Sequence, residues 1–142
     1  MNEKVLLVDD ESEFVEMLAE RLRNRGMEVT ATESPVEALR KTDAESFDAV
    51  VLDLAMPEMD GIETLARMKV KNPDLQVILL TGQATVAKGV AAMKLGAMDF
   101  LEKPIDLAVL SERIKKAHVR KMIIVEKKAE KKIKEIIGSK AW

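Results

Sequence analysis

The sequence predicts an α/β fold: a doubly wound parallel sheet of five strands with five helices, the last of them extended. Three observations carry this. Short apolar runs of four to seven residues recur along the chain, bounded by acids, Gly or Thr, as strands buried on both faces require. Segments with helical spacing of apolar residues alternate with them. The connections are a few residues long, which suits βαβ units rather than separate layers.

Taken in order, Lys4–Val8 is the first strand, closed by Asp9, Asp10 and Glu11. Phe14, Val15, Leu18 and Leu22 then recur at helical spacing, and Gly26 supplies a C-cap. Glu28–Thr32 has strand character. Ser34 followed by Pro35 reads as an N-cap with proline at the first helical position, opening a helix to about Ala44. Phe47–Asp53 is a second mainly apolar strand ending on a carboxylate, and Met56–Gly61 is a loop. Ile62, Leu65, Ala66 and Met68 continue as a helix that Asn72-Pro73 ends. Gln76–Leu80 is a strand followed by Thr81-Gly82, Val86–Leu95 a helix capped by Gly96, and Met98–Leu101 a short strand before Lys103-Pro104. A last helix starts near Asp106 and runs to about Ile137.

The chain has 142 residues, enough for one domain with a real core. A hydrophobic fraction of 47% beside 34% charged residues describes a soluble globular protein. There is no cysteine, which excludes disulfides and thiolate metal sites. No apolar run is long enough to span a bilayer, and the N-terminal run is cut short by Asp9 and Asp10, so a cytoplasmic protein without a membrane partner is expected. Residues 111–142 carry eleven Lys and Arg against four Glu, a net of +7, which leaves −9 on residues 1–110. With no recognition-helix motif and no aromatic platform, the basic tail reads as a solvated helix face, and DNA binding by this chain is not expected.

Five polar residues fall at strand ends: Asp9, Asp10, Asp53, Thr81 and Lys103. In an open parallel sheet the carboxyl ends share one edge, and ligands bind there. With strand order 2-1-3-4-5, all five would line one crevice; another small α/β sandwich with a different order also fits the alternation. Three carboxylates together repel, and a cation would keep them ionised. The oxygen-only ligand set favours a hard ion such as Mg²⁺, to which the loop after Asp53 can add a backbone carbonyl, most simply that of Ala55. A carboxylate nucleophile at Asp53, a divalent ion, the Lys103 ammonium and the Thr81 hydroxyl together meet the needs of phosphoryl transfer. No Gly-rich phosphate loop is present, so nucleotide binding is not indicated. A phosphatase built on the same acids would need an acid/base aspartate just after the nucleophile, where Ala55 stands.

The stretches Val8-Asp9-Asp10, Asp53-Leu54-Ala55-Met56-Pro57-Glu58-Met59-Asp60-Gly61, Leu80-Thr81-Gly82 and Gly96-Ala97-Met98-Asp99-Phe100-Leu101-Glu102-Lys103-Pro104 resemble, in this order and spacing, the receiver domain of two-component response regulators. The resemblance covers about residues 3–120. It implies a flavodoxin-like fold and transfer of a phosphoryl group from a histidine kinase or phosphotransfer protein to Asp53. It implies Mg²⁺ held by Asp10, Asp53 and the Ala55 carbonyl with Asp9 assisting, Thr81 and Lys103 on the acyl phosphate, and a cis bond at Lys103-Pro104. Phe100 takes the switch aromatic position beside Thr81. Gly82 and Gln83 stand where family members tune loss of the phosphate. Such a chain is a phosphoacceptor signalling domain rather than a turnover enzyme.

The division expected is a receiver over residues 1–120 and a basic amphipathic extension of the fifth helix over 121–142. Ile114, His118, Met122, Val125, Ala129, Ile133 and Ile136 form a stripe, and Ile114, Val125 and Ile136 are each eleven apart, a period that suits a straight or slightly right-handed helix pair. A homodimer through this helix and the face of the fourth helix, fifth strand and fifth helix is therefore expected. The extension resembles the helix leading out of receivers in enhancer-binding transcription activators, so the chain is either a single-domain regulator or a piece of a longer one. His118, the only histidine, reads as a surface or interface residue, and Trp142 as a loose terminus.

Overall fold

The computed structural model describes residues 2–56, 59–82 and 86–140. Its elements are β1 (Lys4–Val8), α1 (Ser12–Arg23), β2 (Glu28–Thr32), α2 (Pro35–Ala44), β3 (Ala49–Asp53), α3 (Gly61–Lys71), β4 (Val77–Thr81), α4 (Val86–Lys94), β5 (Asp99–Glu102) and α5 (Leu107–Lys140). All neighbouring strands are parallel, in the order β2-β1-β3-β4-β5. The order 2-1-3-4-5 is thus settled against the alternative. The third, fourth and fifth strands begin one or two residues later than the apolar runs suggest, so Asp53 and Thr81 are the last residues of their ladders.

The sheet separates two cores, because successive strand residues point to opposite faces. Val5, Leu7, Val51, Ile78 and Leu80 meet Val15, Leu18 and Leu22 of α1 and Leu110, Ile114 and Ala117 of α5. Leu6, Val8, Val50, Leu52 and Leu79 meet Ala38 of α2, Leu65 and Met68 of α3 and Ala92 of α4. Each fully buried leucine contributes about 1.5–3 kcal/mol by leaving water, and this packing holds the carboxyl edge of the sheet in place.

Local signals set the helix ends. Ser34 accepts a hydrogen bond from the Glu37 amide, and Pro35 is the first helical residue. At Gly26 (φ +89°) and Gly96 (φ +100°) the chain turns left-handed, and the bonds from Met27 N to the Leu22 carbonyl and from Ala97 N to the Ala92 carbonyl close the ends of α1 and α4. Asp60 caps α3 by accepting from the Glu63 amide at 2.8 Å.

His118, expected at a surface or interface, joins α5 to the segment before β3. Its Nδ1 lies 2.9 Å from Oδ1 of Asp48, a buried residue preceding β3, and its Nε2 is enclosed. The other Asp48 oxygen accepts the Lys4 amide at 2.7 Å. Burial works against the charge on Asp48, but the Lys4 amide, the His118 ring and the Lys121 ammonium outweigh it and hold its pKa below the ordinary value. The contact continues along α5, where Lys121 donates to Ser46 and Lys128 pairs with Asp74. Asp48→Ala would leave the Lys4 amide and the His118 ring without their acceptor. It is expected to lower unfolding stability by about 2 kcal/mol in urea at pH 7; an unchanged midpoint would deny the anchor.

On the rest of the α5 surface, Met122, Val125, Ile133, Ile136 and Ile137 are exposed. Among the described residues, no helix is long and apolar enough to cross a membrane.

Candidate functional site

The carboxyl ends of β1, β3, β4 and β5 meet at one edge. Asp9 follows β1, and its amide donates to the Thr32 carbonyl at 3.2 Å. Asp53 ends β3, flanked by the Leu54 amide, which donates to the Leu80 carbonyl. Thr81 ends β4, and its carbonyl accepts the Lys103 amide at 2.7 Å. Lys103 follows β5, and the Lys103-Pro104 peptide is cis. The strand ladder therefore delivers all the polar positions to one place.

Asp9 and Asp53 are buried, at 2% and 3% exposure, while Asp10 is exposed. One oxygen from each of the three can lie within 4.8 Å of the others. The Lys103 ammonium is 2.9 Å from Oδ2 of Asp9, 3.4 Å from Oε1 of Glu11 and 3.8 Å from Oδ2 of Asp53. The Glu11 amide donates to Oδ1 of Asp9, and the Ala55 amide to Oδ1 of Asp53 at 3.3 Å. Ala55 itself is exposed in the loop after β3.

The charges are not balanced. Burial is the largest influence on Asp53 and the Asp9 charge adds to it; Lys103 and the Ala55 amide oppose them, and the pKa is pushed up to about 6. Burial disfavours the Lys103 ammonium, yet its hydrogen bond to Asp9 and the charges of Asp53, Asp9 and Glu11 prevail and raise its pKa. A carboxylate pushed this far from its ordinary state by burial and by the Asp9 charge is what a divalent cation would relieve, and the donors are all oxygens. The acidic cluster could hold such a metal.

Thr81 is buried beside this cluster. Phe100 is half-buried on β5, packed against the core on the α4 side. A Cβ built on Gly89 of α4 would lie 3.0 Å from Phe100 Cζ, so the absence of a side chain at Gly89 makes the seat for the ring. Pro57, Glu58, Gln83 and Trp142 lie outside the described residues.

Sequence reasoning missed two neighbours of Lys103: Glu11 and Phe14. The Phe14 ring centroid is 4.3 Å from the Lys103 ammonium. The available signal was their spacing of three at the start of α1, Glu11 as the N-cap directly after the aspartate pair and Phe14 in the first turn.

Comparison with known proteins gives a consistent result. Residues 5–115 match the family described as response regulator receiver domain. Transcriptional regulatory protein ZraR of Klebsiella oxytoca is 39% identical over 120 residues, 82% of this chain and 27% of that protein. Transcriptional regulatory protein PrrA of Mycobacterium bovis is 38% identical over 112 residues, 79% of this chain and 48% of that protein. The chain thus spans about a quarter to a half of these relatives. Among solved structures, a receiver domain protein from Clostridium thermocellum is 35% identical with a TM-score of 0.81, covering 86% of this chain and 98% of that one. The beryllofluoride-activated NtrC4 receiver domain dimer is 35% identical with a TM-score of 0.78, covering 83% and 98%.

Proposed function

Since the chain belongs to the response regulator receiver domain family, we propose that it accepts a phosphoryl group on Asp53 from the phosphohistidine of a histidine kinase or phosphotransfer protein, in a Mg²⁺-dependent reaction, and that the change it undergoes is signalled to a partner or output domain. The observation that carries this reading is the convergence of Asp9, Asp10 and Asp53 with the Lys103 ammonium 3.8 Å from Asp53.

In the transfer, an Asp53 oxygen bonds to phosphorus as the donor's N–P bond breaks, and the imidazole nitrogen keeps the electron pair. Asp10, Asp53 and the Ala55 carbonyl, with Asp9 assisting, would hold the Mg²⁺. When bound it would offset the carboxylate charge and accept phosphoryl oxygens. Lys103 leaves Asp9 for the phosphoryl oxygens, and the Thr81 hydroxyl donates to another. Thr81 moving inward makes room for Phe100, and the face of α4, β5 and α5 changes with it. Residues 1–120 act as the receiver and 121–142 as a basic extension. The exposed apolar positions Met122, Ile133 and Ile136 support a homodimer through α5 and the α4-β5-α5 face. The reading places the protein in the cytoplasm.

Intact-mass spectrometry after incubation with acetyl phosphate tests it. One phosphate is expected with Mg²⁺, none in its absence, and none on Asp53→Ala. Light scattering on the same samples reports any change of assembly. A fully labelled Asp53→Ala protein would refute the assignment.

A further inference from the structure

Lys103 has to be aimed. Its ammonium ends a flexible four-carbon stem, and it sits 2.9 Å from Asp9 but 3.8 Å from Asp53, the group whose phosphoryl it would meet. Its side chain is only 15% exposed, and carboxylates are not its only neighbours. The Phe14 ring lies 4.3 Å away, within the range in which the negative face of an aromatic attracts a cation. Phe14 is itself held in place. It packs against the core of β1, α1 and α5, and the start of α1 is tied to Asp9 by the bond from the Glu11 amide. Glu11, the N-cap of α1, and Phe14, three residues on in its first turn, both address Lys103. The same ring walls an apolar groove of about 470 Å³ that Lys103 and Pro104 also line.

We infer that Phe14 is a positioning residue for phosphoryl transfer, its ring face holding the Lys103 ammonium at the edge of the site while the ammonium exchanges Asp9 for the phosphoryl group. The inference rests on the phosphoacceptor reading of Asp53. Phe14 acts through Lys103, the cation its ring faces. The ring attraction does not depend on which carboxylate the ammonium faces. It persists as long as the ammonium stays within about 6 Å of the ring centroid, and a saturated side chain of similar bulk cannot supply it.

The test compares Phe14→Leu, which keeps apolar bulk, with Phe14→Tyr, which restores a ring. The readout is the initial rate of Mg²⁺-dependent labelling by acetyl phosphate, a donor that needs no protein docking, with urea unfolding of each variant as the control. Phe14→Leu is expected to label about threefold to tenfold more slowly at unchanged Mg²⁺ affinity, and Phe14→Tyr within about twofold of wild type. If Phe14→Leu is too unstable to assay, Phe14→Met carries the same expectation. A folded Phe14→Leu protein labelling at the wild-type rate would overturn the inference. So would equal slowing of the Leu and Tyr variants, which would assign Phe14 to packing. Absence of label on wild type is a different failure: it would overturn the phosphoacceptor reading, and this inference with it.

Discussion

Asp53→Asn is expected to abolish phosphoryl labelling and at the same time to stabilise the metal-free protein at pH 7. The two effects share one cause. Asp53 is buried beside Asp9, and its pKa is raised from 3.8 to about 6. The folded state therefore binds the Asp53 proton more tightly than the unfolded chain does. Stability is unaffected by this group below pH 4, falls as pH rises from about 4 to about 6, and stays lower above that. The rise corresponds to at most about 3 kcal/mol. Relaxation of the surrounding protein takes up part of that penalty, which leaves about 1–2 kcal/mol. An asparagine has no charge to penalise, so the variant gains that amount at pH 7 and nothing at pH 4. Mg²⁺ should close the gap from the other side by stabilising wild type more than the variant. Urea titrations at pH 4 and pH 7, with and without Mg²⁺, measure all of this. A variant no more stable than wild type at pH 7, or equally stabilised at both pH values, would contradict the electrostatic account of the site.

Much of this arrangement could be read from the chain because the signals were local. Val5–Val8, Val50–Leu52 and Val77–Leu80 are strands buried on both faces, so their apolar runs have no polar interruption. Once the order β2-β1-β3-β4-β5 is known, the carboxyl ends bring Asp9, Asp53, Thr81 and Lys103 to one edge. What escaped depends on distant pairs. Asp48 and His118 are 70 residues apart, and nothing near either one announces the other. Strand ends slipped by a residue or two because hydrogen-bonding register, not hydrophobicity, decides where a ladder stops. The eleven-residue stripe of α5 proved to serve more than one surface. Ile114 is in the core, whereas Val125 and Ile136 are exposed. Periodicity reports that a face is apolar, not what covers it.

Gly61→Ala is expected to damage fold and chemistry together, because it acts on the backbone that carries Asp53. A Cβ at Gly61 would lie 2.5 Å from Leu54 Cα and 2.6 Å from the Asp53 carbonyl oxygen. Neither atom belongs to a side chain that could rotate away. The Gly61 amide also donates to the Leu54 carbonyl at 2.8 Å, so the first turn of α3 rests directly on the chain leaving β3. To admit a methyl group, α3 or the residues around Asp53 must shift. The Asp60 cap resists the first movement and the β3–β4 ladder the second. Overpacking of this kind costs about 1–3 kcal/mol. The loop through Ala55 would move relative to Asp53, and labelling by acetyl phosphate should slow by about tenfold or more, since small misplacements of reacting groups are costly. Gly138→Ala is the matched control. Nothing lies within 4 Å of a Cβ there, on the exposed end of α5. That variant should keep the wild-type labelling rate and gain a few tenths to about 1 kcal/mol of helix stability. If Gly61→Ala instead matched wild type in both urea midpoint and labelling rate, the close seating of α3 on Asp53 would not constrain the site.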